Sequence, residues 1–217
     1  MREVLCRCGV ECEVEELRRA EAAARPIVSA ELERLQSTES QNTFAYYVRS
    51  ILGKLCSSSV LADNRLDKVV REVLQILRAP GQTQRLWSFL LPGVRDALDI
   101  LWERGFQLVV VSNSDGTVED GLSRLGIRHY FGAVVDSYKV GFEKPDPRLF
   151  HHALQMSSAD PERTLHIGDM YDVDVLGARS AGLYALLLDP FSDWHNVDCV
   201  RFPDLLSFAT TIARDVT

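Results

Sequence analysis

Hydrophobic spacing divides this chain into two stretches of different character. Residues 13 to about 36 begin Glu13-Val-Glu-Glu-Leu17-Arg-Arg-Ala, a run of charged and helix-favouring residues. Pro26 interrupts the run, which predicts a kink or a restart, because proline removes an internal helix hydrogen bond. Ser37 to Gln41 reads as a loop. Phe44, Tyr47, Val48, Ile51 and Leu52 recur at the spacing of one helix face, so residues 43–52 form an amphipathic helix. Asp63 to Leu77 form another, with Leu66, Val69, Val70, Val73, Leu74 and Leu77 on one side. This first stretch reads as a small helical bundle.

The pattern changes after Ala79-Pro80-Gly81. A helix starts in Leu91-Pro92-Gly93-Val94 and ends at Gly105. Short apolar runs at about 106–112, 132–136, 164–168 and 184–188 read as strands. Helices at about 117–125, 147–156 and 173–181 alternate with them, and Gly126 and Gly182 suit left-handed helix ends. A Thr117–Asp120 capping box is expected to open the first of these. A last amphipathic helix, Asp204 to Ala213, covers one face. Strand–helix alternation with short turns predicts a parallel sheet flanked by helices, an α/β fold.

Candidate chemistry gathers at the ends of those strands. Thr164-Leu165-His166-Ile167 runs into Gly168-Asp169-Met170-Tyr171-Asp172-Val173-Asp174. Three carboxylates at a strand's carboxyl end repel one another unless a cation lies among them, and hard oxygen ligands suit Mg²⁺. The alternative is a solvated acidic turn in which Asp172 or Asp174 caps the following helix. Two further segments belong with this one. Phe106 to Val111 leads into Ser112 and Asn113, a hydroxyl and an amide. Lys144-Pro145-Asp146-Pro147 places a lysine just before a helix that Asp146 would cap and Pro147 would open. In an open parallel sheet such loops share one edge, where ligands bind. A hydroxyl and N–H groups hold phosphate oxygens, and an ammonium neutralises their charge.

These segments resemble three ordered motifs of the haloacid-dehalogenase-like (HAD) superfamily of hydrolases. Val109-Val-Val-Ser112-Asn113 resembles the second motif, Lys144-Pro145 the third, and Gly168-Asp169 with Asp174 the fourth. The spacings are 32 residues from Ser112 to Lys144 and 25 more to Asp169. The resemblance covers roughly Leu91 to Pro190. It implies a Rossmann-like core at residues 86–217, a helical cap at 13–85 and a core/cap junction at 1–12. It implies phosphate-ester hydrolysis of a small phosphorylated metabolite through an aspartyl-phosphate, with Mg²⁺ as cofactor. Ser112 and the Asn113 amide would bind phosphoryl oxygens, and Lys144 would neutralise the intermediate. Asp169 would ligate the metal, Asp174 would bind or orient it through water, and Asp172 is a weaker ligand candidate. The family's metal-free dehalogenases replace the glycine–aspartate start of the fourth motif, so the paired acids favour the phosphatase branch.

The family's first motif, an Asp-x-Asp after a hydrophobic strand, has no match here. Met1-Arg-Glu-Val-Leu-Cys6-Arg-Cys8-Gly9 resembles the text that follows that motif: a helix end, a capping glycine, then a cap helix. The expectation is a lost front of about 15–25 residues carrying the nucleophile. The alternative is a catalytically inactive pseudoenzyme that binds phosphate, metal or a partner. Asn113-Ser114-Asp115-Gly116-Thr117 resembles the first motif with its nucleophile changed to Asn. With only 30 residues between it and Lys144, it reads better as the end of the second motif.

Composition narrows the picture further. At 217 residues the chain can bury one good core and a smaller second lobe. A net charge of −7 without blocks of like charge argues against a nucleic-acid surface. No apolar run reaches the 18 or so residues a membrane span needs, and no signal-peptide core follows Met1. The five cysteines, Cys6, Cys8, Cys12, Cys56 and Cys199, match no zinc spacing and read as free thiols in a reducing, cytoplasmic setting. His166 is expected to hydrogen-bond backbone within its strand, and Tyr46, Tyr47 and Trp87 to pack in the core.

Overall fold

The computed structural model describes residues 1–56, 63–79 and 88–215. It divides into two compact units, Met1–Trp87 and Ser88–Thr217.

The first unit is helical: α1 (Arg2–Arg7), α2 (Val14–Ala30), α3 (Leu32–Leu35), α4 (Gln41–Cys56) and α5 (Asp63–Leu77). Gly9, at φ +74°, ends α1. The Gly9 N–H donates to Cys6 O and the Val10 N–H to Leu5 O, so the last carbonyls of the helix are satisfied. Glu13 and Glu16 form a capping box that starts α2. The helix then runs through Pro26 without restarting. Packing outweighs the proline here: Ala20 and Ala24 are buried against Ile51 of α4, and the bidentate Arg25–Glu21 pair spans one turn. The adjoining stripe of α4 buries Val48 and Leu52 among Leu5, Val10 and the Val69–Leu77 face of α5. Tyr47 packs beside Ile51 and donates its hydroxyl to Glu21. Trp87 and the Pro80–Gly81 break lie outside the described residues.

The second unit holds α6 (Val94–Glu103), β1 (Leu108–Ser112), α7 (Val118–Arg124), β2 (Phe131–Asp136), α8 (Ser137–Val140), α9 (Pro147–Ser157), β3 (Leu165–Gly168), α10 (Leu176–Ser180), β4 (Tyr184–Leu188), β5 (Val200–Phe202) and α11 (Leu205–Asp215). α6 starts at Val94 rather than Leu91 because Gly93 stands at φ +79°; a β-carbon there would also lie 2.9 Å from Leu206 Cδ2. The Thr117–Asp120 capping box does not form, since the Thr117 hydroxyl donates to Asp115 instead. Residues Tyr171–Val175 form a wide π-type turn where a helix start is expected, and α10 follows it.

The strands are all parallel, in two sheets, β1–β2 and β3–β4–β5. Ser112 stands opposite Asp136, and Gly168 opposite Leu187. Both sheets share their covering helices. On one face Leu108 of β1 and Ile167 of β3 pack against a single cluster of Ala97, Leu101, Phe208 and Ala209 from α6 and α11. On the other, α9 presents Leu149 and Ala153 to Val109, Val111 and Val135. Its Phe150 and Leu154 pack on Ala178, Ala181 and Leu183, and Phe150 meets the His166 ring edge-on at 5.0 Å. β1 and β3 therefore lie within one layer, yet no ladder joins them among the described residues. All of β1 is half-buried, and Leu165 of β3 is 39 % exposed. Central strands of a covered parallel sheet are normally buried on both faces. No helix of the described residues is long and apolar enough to cross a membrane.

Candidate active site

The carboxyl ends of β1 and β3 bring the motif residues together. Asn113 follows β1 and clamps the backbone of Lys144: its Oδ1 accepts from the Lys144 N–H at 2.7 Å and its Nδ2 donates to Lys144 O at 2.9 Å. Lys144 then donates Nζ–H to Asp174 Oδ1 at 2.7 Å, with the two side chains 12 % and 3 % exposed. His166 Nε2 lies 3.1 Å from the same oxygen. The other carboxylate oxygen, Oδ2, accepts the N–H groups of Asp169 at 3.1 Å and Met170 at 2.9 Å.

Asp174 is thus the hub of the cluster. Its burial alone would raise its carboxyl pKa. The Lys144 charge and the His166 hydrogen bond outweigh that, holding the group below the usual carboxylate range. A buried charge is tolerated only when paired and hydrogen-bonded on all sides, and both Asp174 oxygens have their partners.

Two glycines make this geometry possible. A β-carbon on Gly168 would fall 2.2 Å from Asp174 Cγ, so only glycine lets the carboxylate fold back over the end of β3. A β-carbon on Gly177 would come within 2.9 Å of Pro145 Cα, so this glycine lets α10 lie against the lysine's own segment.

The other sequence-predicted residues sit around this hub. Ser112 ends β1 half-buried, its hydroxyl donating to Asn113 O at 3.3 Å. Asp169 and Asp172 are half-buried on either side of the turn's start. The Asp174 carboxylate turns back onto the amides of Asp169 and Met170, which precede the turn, and no side chain caps the helix that follows. Among the described residues no three His, Cys, Asp or Glu side chains are grouped as a metal site. Beyond Asn113, the first-motif look-alike makes other contacts. Asp115 is exposed and pairs with Thr117, and the loop leans on Asp136 and Ser137 through the N–H groups of Gly116 and Ser114. The buried Asp136 keeps Oδ2 without a partner among the described residues.

Sequence reasoning placed His166 against backbone; it bonds Asp174 instead. It also missed the side-chain role of Asn113 and the close approaches at Gly168 and Gly177. The glycine six residues before Asp174 was the available signal.

The parallel α/β unit thus carries a buried lysine–aspartate pair and an asparagine clamp at its carboxyl edge. A family profile for haloacid dehalogenase-like hydrolases matches residues 10–182, and the chain belongs to that family. It is 41 % identical over 99 residues to the haloacid dehalogenase-like hydrolase domain-containing protein 3 of Bos taurus, covering 46 % of this chain and 39 % of that protein. It is 40 % identical over 99 residues to a glyceraldehyde 3-phosphate phosphatase of Methanothermobacter thermautotrophicus, covering 45 % and 44 %. The chain thus matches about two fifths of the length of these curated relatives. In fold it resembles the putative HAD-hydrolase YfnB of Bacillus subtilis, solved with magnesium, at a TM-score of 0.63 and 19 % identity over 97 % of this chain and 88 % of that one.

Proposed function

We propose that this chain is part of a Mg²⁺-dependent phosphohydrolase that acts on a small phosphorylated metabolite through an aspartyl-phosphate, the chain lacking the nucleophile. The observation that carries the reading is the buried Lys144–Asp174 pair, clamped by Asn113 at the carboxyl edge of two parallel sheets. The relatives named as phosphatases, including a phosphoserine phosphatase of Thermus thermophilus 39 % identical over 87 residues, covering 40 % of this chain and 35 % of that protein, support the same chemistry.

Each residue has a part. Asp174 aims the Lys144 ammonium. The Lys144 ammonium draws the phosphoryl group to the edge and offsets its charge as the ester bond breaks. Ser112 and the Asn113 main-chain N–H orient phosphoryl oxygens, while the Asn113 side chain holds Lys144. Asp169, a hard oxygen donor, fits one Mg²⁺ ligand position, with Asp172 a weaker candidate and Asp174 acting by orientation. Bound Mg²⁺ would shield charge between the attacking carboxylate and the phosphate. Among the described residues the carboxylates do not complete a metal site.

The reaction needs a carboxylate nucleophile, which forms an aspartyl-phosphate, and an acid that protonates the leaving oxygen. No residue of the Lys144–Asp174 cluster has that freedom. The edges of β1 and β3, which carry no ladder among the described residues, frame a place for one extended strand, whose end would emerge beside Lys144. An apolar strand ending in Asp-x-Asp, seated there, would supply both groups. The helical unit would serve as the cap that selects substrate, and free thiols at Cys6, Cys8, Cys12 and Cys199 suit a reducing, cytoplasmic setting.

The test is hydrolysis of 4-nitrophenyl phosphate with MgCl₂. The 217-residue chain should show little turnover. A version with an apolar strand ending in Asp-x-Asp joined ahead of Met1 should gain it, and Lys144→Ala should abolish the gain. Robust turnover by the chain itself, lost on Asp115→Asn, would overturn this assignment and make Asp115 part of the site.

A further inference from the structure

The helical unit carries a cleft of about 430 Å³, within the range of small-ligand pockets. It is lined by Arg34, Gln36, Asn42, Tyr46 and Arg49 over a floor of Leu35, Ala45 and Val70. The lining is almost wholly hydrogen-bond donors above an apolar base. None of its polar residues takes part in the Lys144–Asp174 cluster.

The donors are incompletely used. Arg34 spends Nε on Glu31, and Arg49 spends Nη1 on Asp67. Each guanidinium has five N–H donors in a planar fork, so most remain available. The Gln36 and Asn42 carboxamides and the Tyr46 hydroxyl bond to no partner among the described residues. The two carboxylates hold the arginines without filling their forks. The Arg34 guanidinium stands 5.7 Å from the Tyr46 ring centre, a cation–π distance that orients its fork. Gln36 is held at φ +65°, a left-handed conformation that a non-glycine residue adopts at a cost. It ends α3 there, and its side chain joins the lining of the cleft.

We propose that this cleft is a second binding site, for a small organic anion with an apolar or planar body and a carboxylate or phosphate group. The oxyanion would sit between the two guanidinium forks, as such groups pair best with bidentate donors. The carboxamides and the tyrosine hydroxyl would bind the remaining polar atoms. The body would cover Leu35, Ala45 and Val70.

The probes are phenylphosphonate, whose P–C bond an ester hydrolase leaves intact, and benzoate. They are titrated to about 20 mM into ¹⁵N-labelled chain, a range that captures affinities near 1 mM. Saturable shifts of the Arg34 and Arg49 Nε–H signals and the Tyr46 ring are expected. Arg34→Gln or Arg49→Gln should each weaken binding about tenfold, the loss of one charged hydrogen bond. Arg34→Lys and Arg49→Lys retain charge and fold but lose the fork, and should weaken it less. Stronger binding of phenylphosphonate would mark a phosphate site, and stronger binding of benzoate a carboxylate site. Absent shifts at these three residues, or shifts unchanged in both glutamine variants, would overturn the proposal. Shifts confined to Lys144 and its neighbours would overturn it while leaving the phosphohydrolase reading standing.

Discussion

At the scale of single residues, Asp174 does more than its place in a motif suggests. Three acids in one turn invite a reading as three metal ligands, but the structure gives Asp174 four hydrogen-bond partners and so makes it the anchor for Lys144. Gly168→Ala tests the geometry directly. The added carbon would overlap Asp174 Cγ, so the carboxylate must leave its amides or the strand end must shift. A loss of about 3–5 kcal/mol is expected, the scale of breaking a buried ion pair, readable in urea unfolding. Acidity provides a second test. The folded Asp174 carboxyl lies below its unfolded value of about 3.9. Its contribution is therefore complete above that pH and is lost as pH falls through lower values. The urea midpoint should drop below about pH 4, and Asp174→Asn should lower the midpoint at neutral pH while flattening that acid limb. An acid limb unchanged in Asp174→Asn would assign it to other carboxylates. Residue types and order were legible in the sequence. Bond partners were not, because which oxygen meets which donor depends on a tertiary approach that only Gly168 hinted at.

At the scale of elements, periodic apolar spacing carried most of the information. α4, α5 and α9 follow it closely because each has one broad face in a core, and β4 because Leu186 and Leu187 are buried on its two faces. Three departures share a cause, namely that local signals yielded to neighbours. The Thr117 hydroxyl found Asp115 in place of the helix amide. β5 spans Val200–Phe202 with Arg201 in its middle, too short and polar for a periodic signal. Arg201 instead reaches Asp189, which is buried just after the end of β4. α2 is continuous across Pro26 because both sides of the break are fixed by packing. If packing rather than local preference holds that helix, relieving the proline should add stability. Pro26→Ala restores a donor for Ala22 O and should stabilise the helical unit by about 1–3 kcal/mol, less what the freer unfolded chain returns. Differential scanning calorimetry would show a raised transition. A lowered one would mean that the ring itself fills space the methyl cannot.

At the scale of the whole α/β unit, the decisive feature is a sheet in two pieces. Leu108 and Ile167 pack on the same helices, yet β1 and β3 do not pair among the described residues. In a parallel strand the N–H groups point alternately to either side. About half the amides of Leu108–Ser112 and Leu165–Gly168 should therefore lack a ladder partner and exchange rapidly with deuterium, while those facing β2 and β4 stay protected. Unpaired apolar edges also template association between copies, so concentrated chain should scatter light on mild warming. Joining an apolar strand ahead of Met1 should change three readouts together: edge amides gain protection, scattering falls and the melting temperature rises. Each rescued buried group is worth about 1–3 kcal/mol, a sizeable share of a stability of about 5–15 kcal/mol. Uniform protection of both strands in the chain without that addition would mean that the edges already have a partner. The phosphohydrolase reading would then need its nucleophile from residues already in hand.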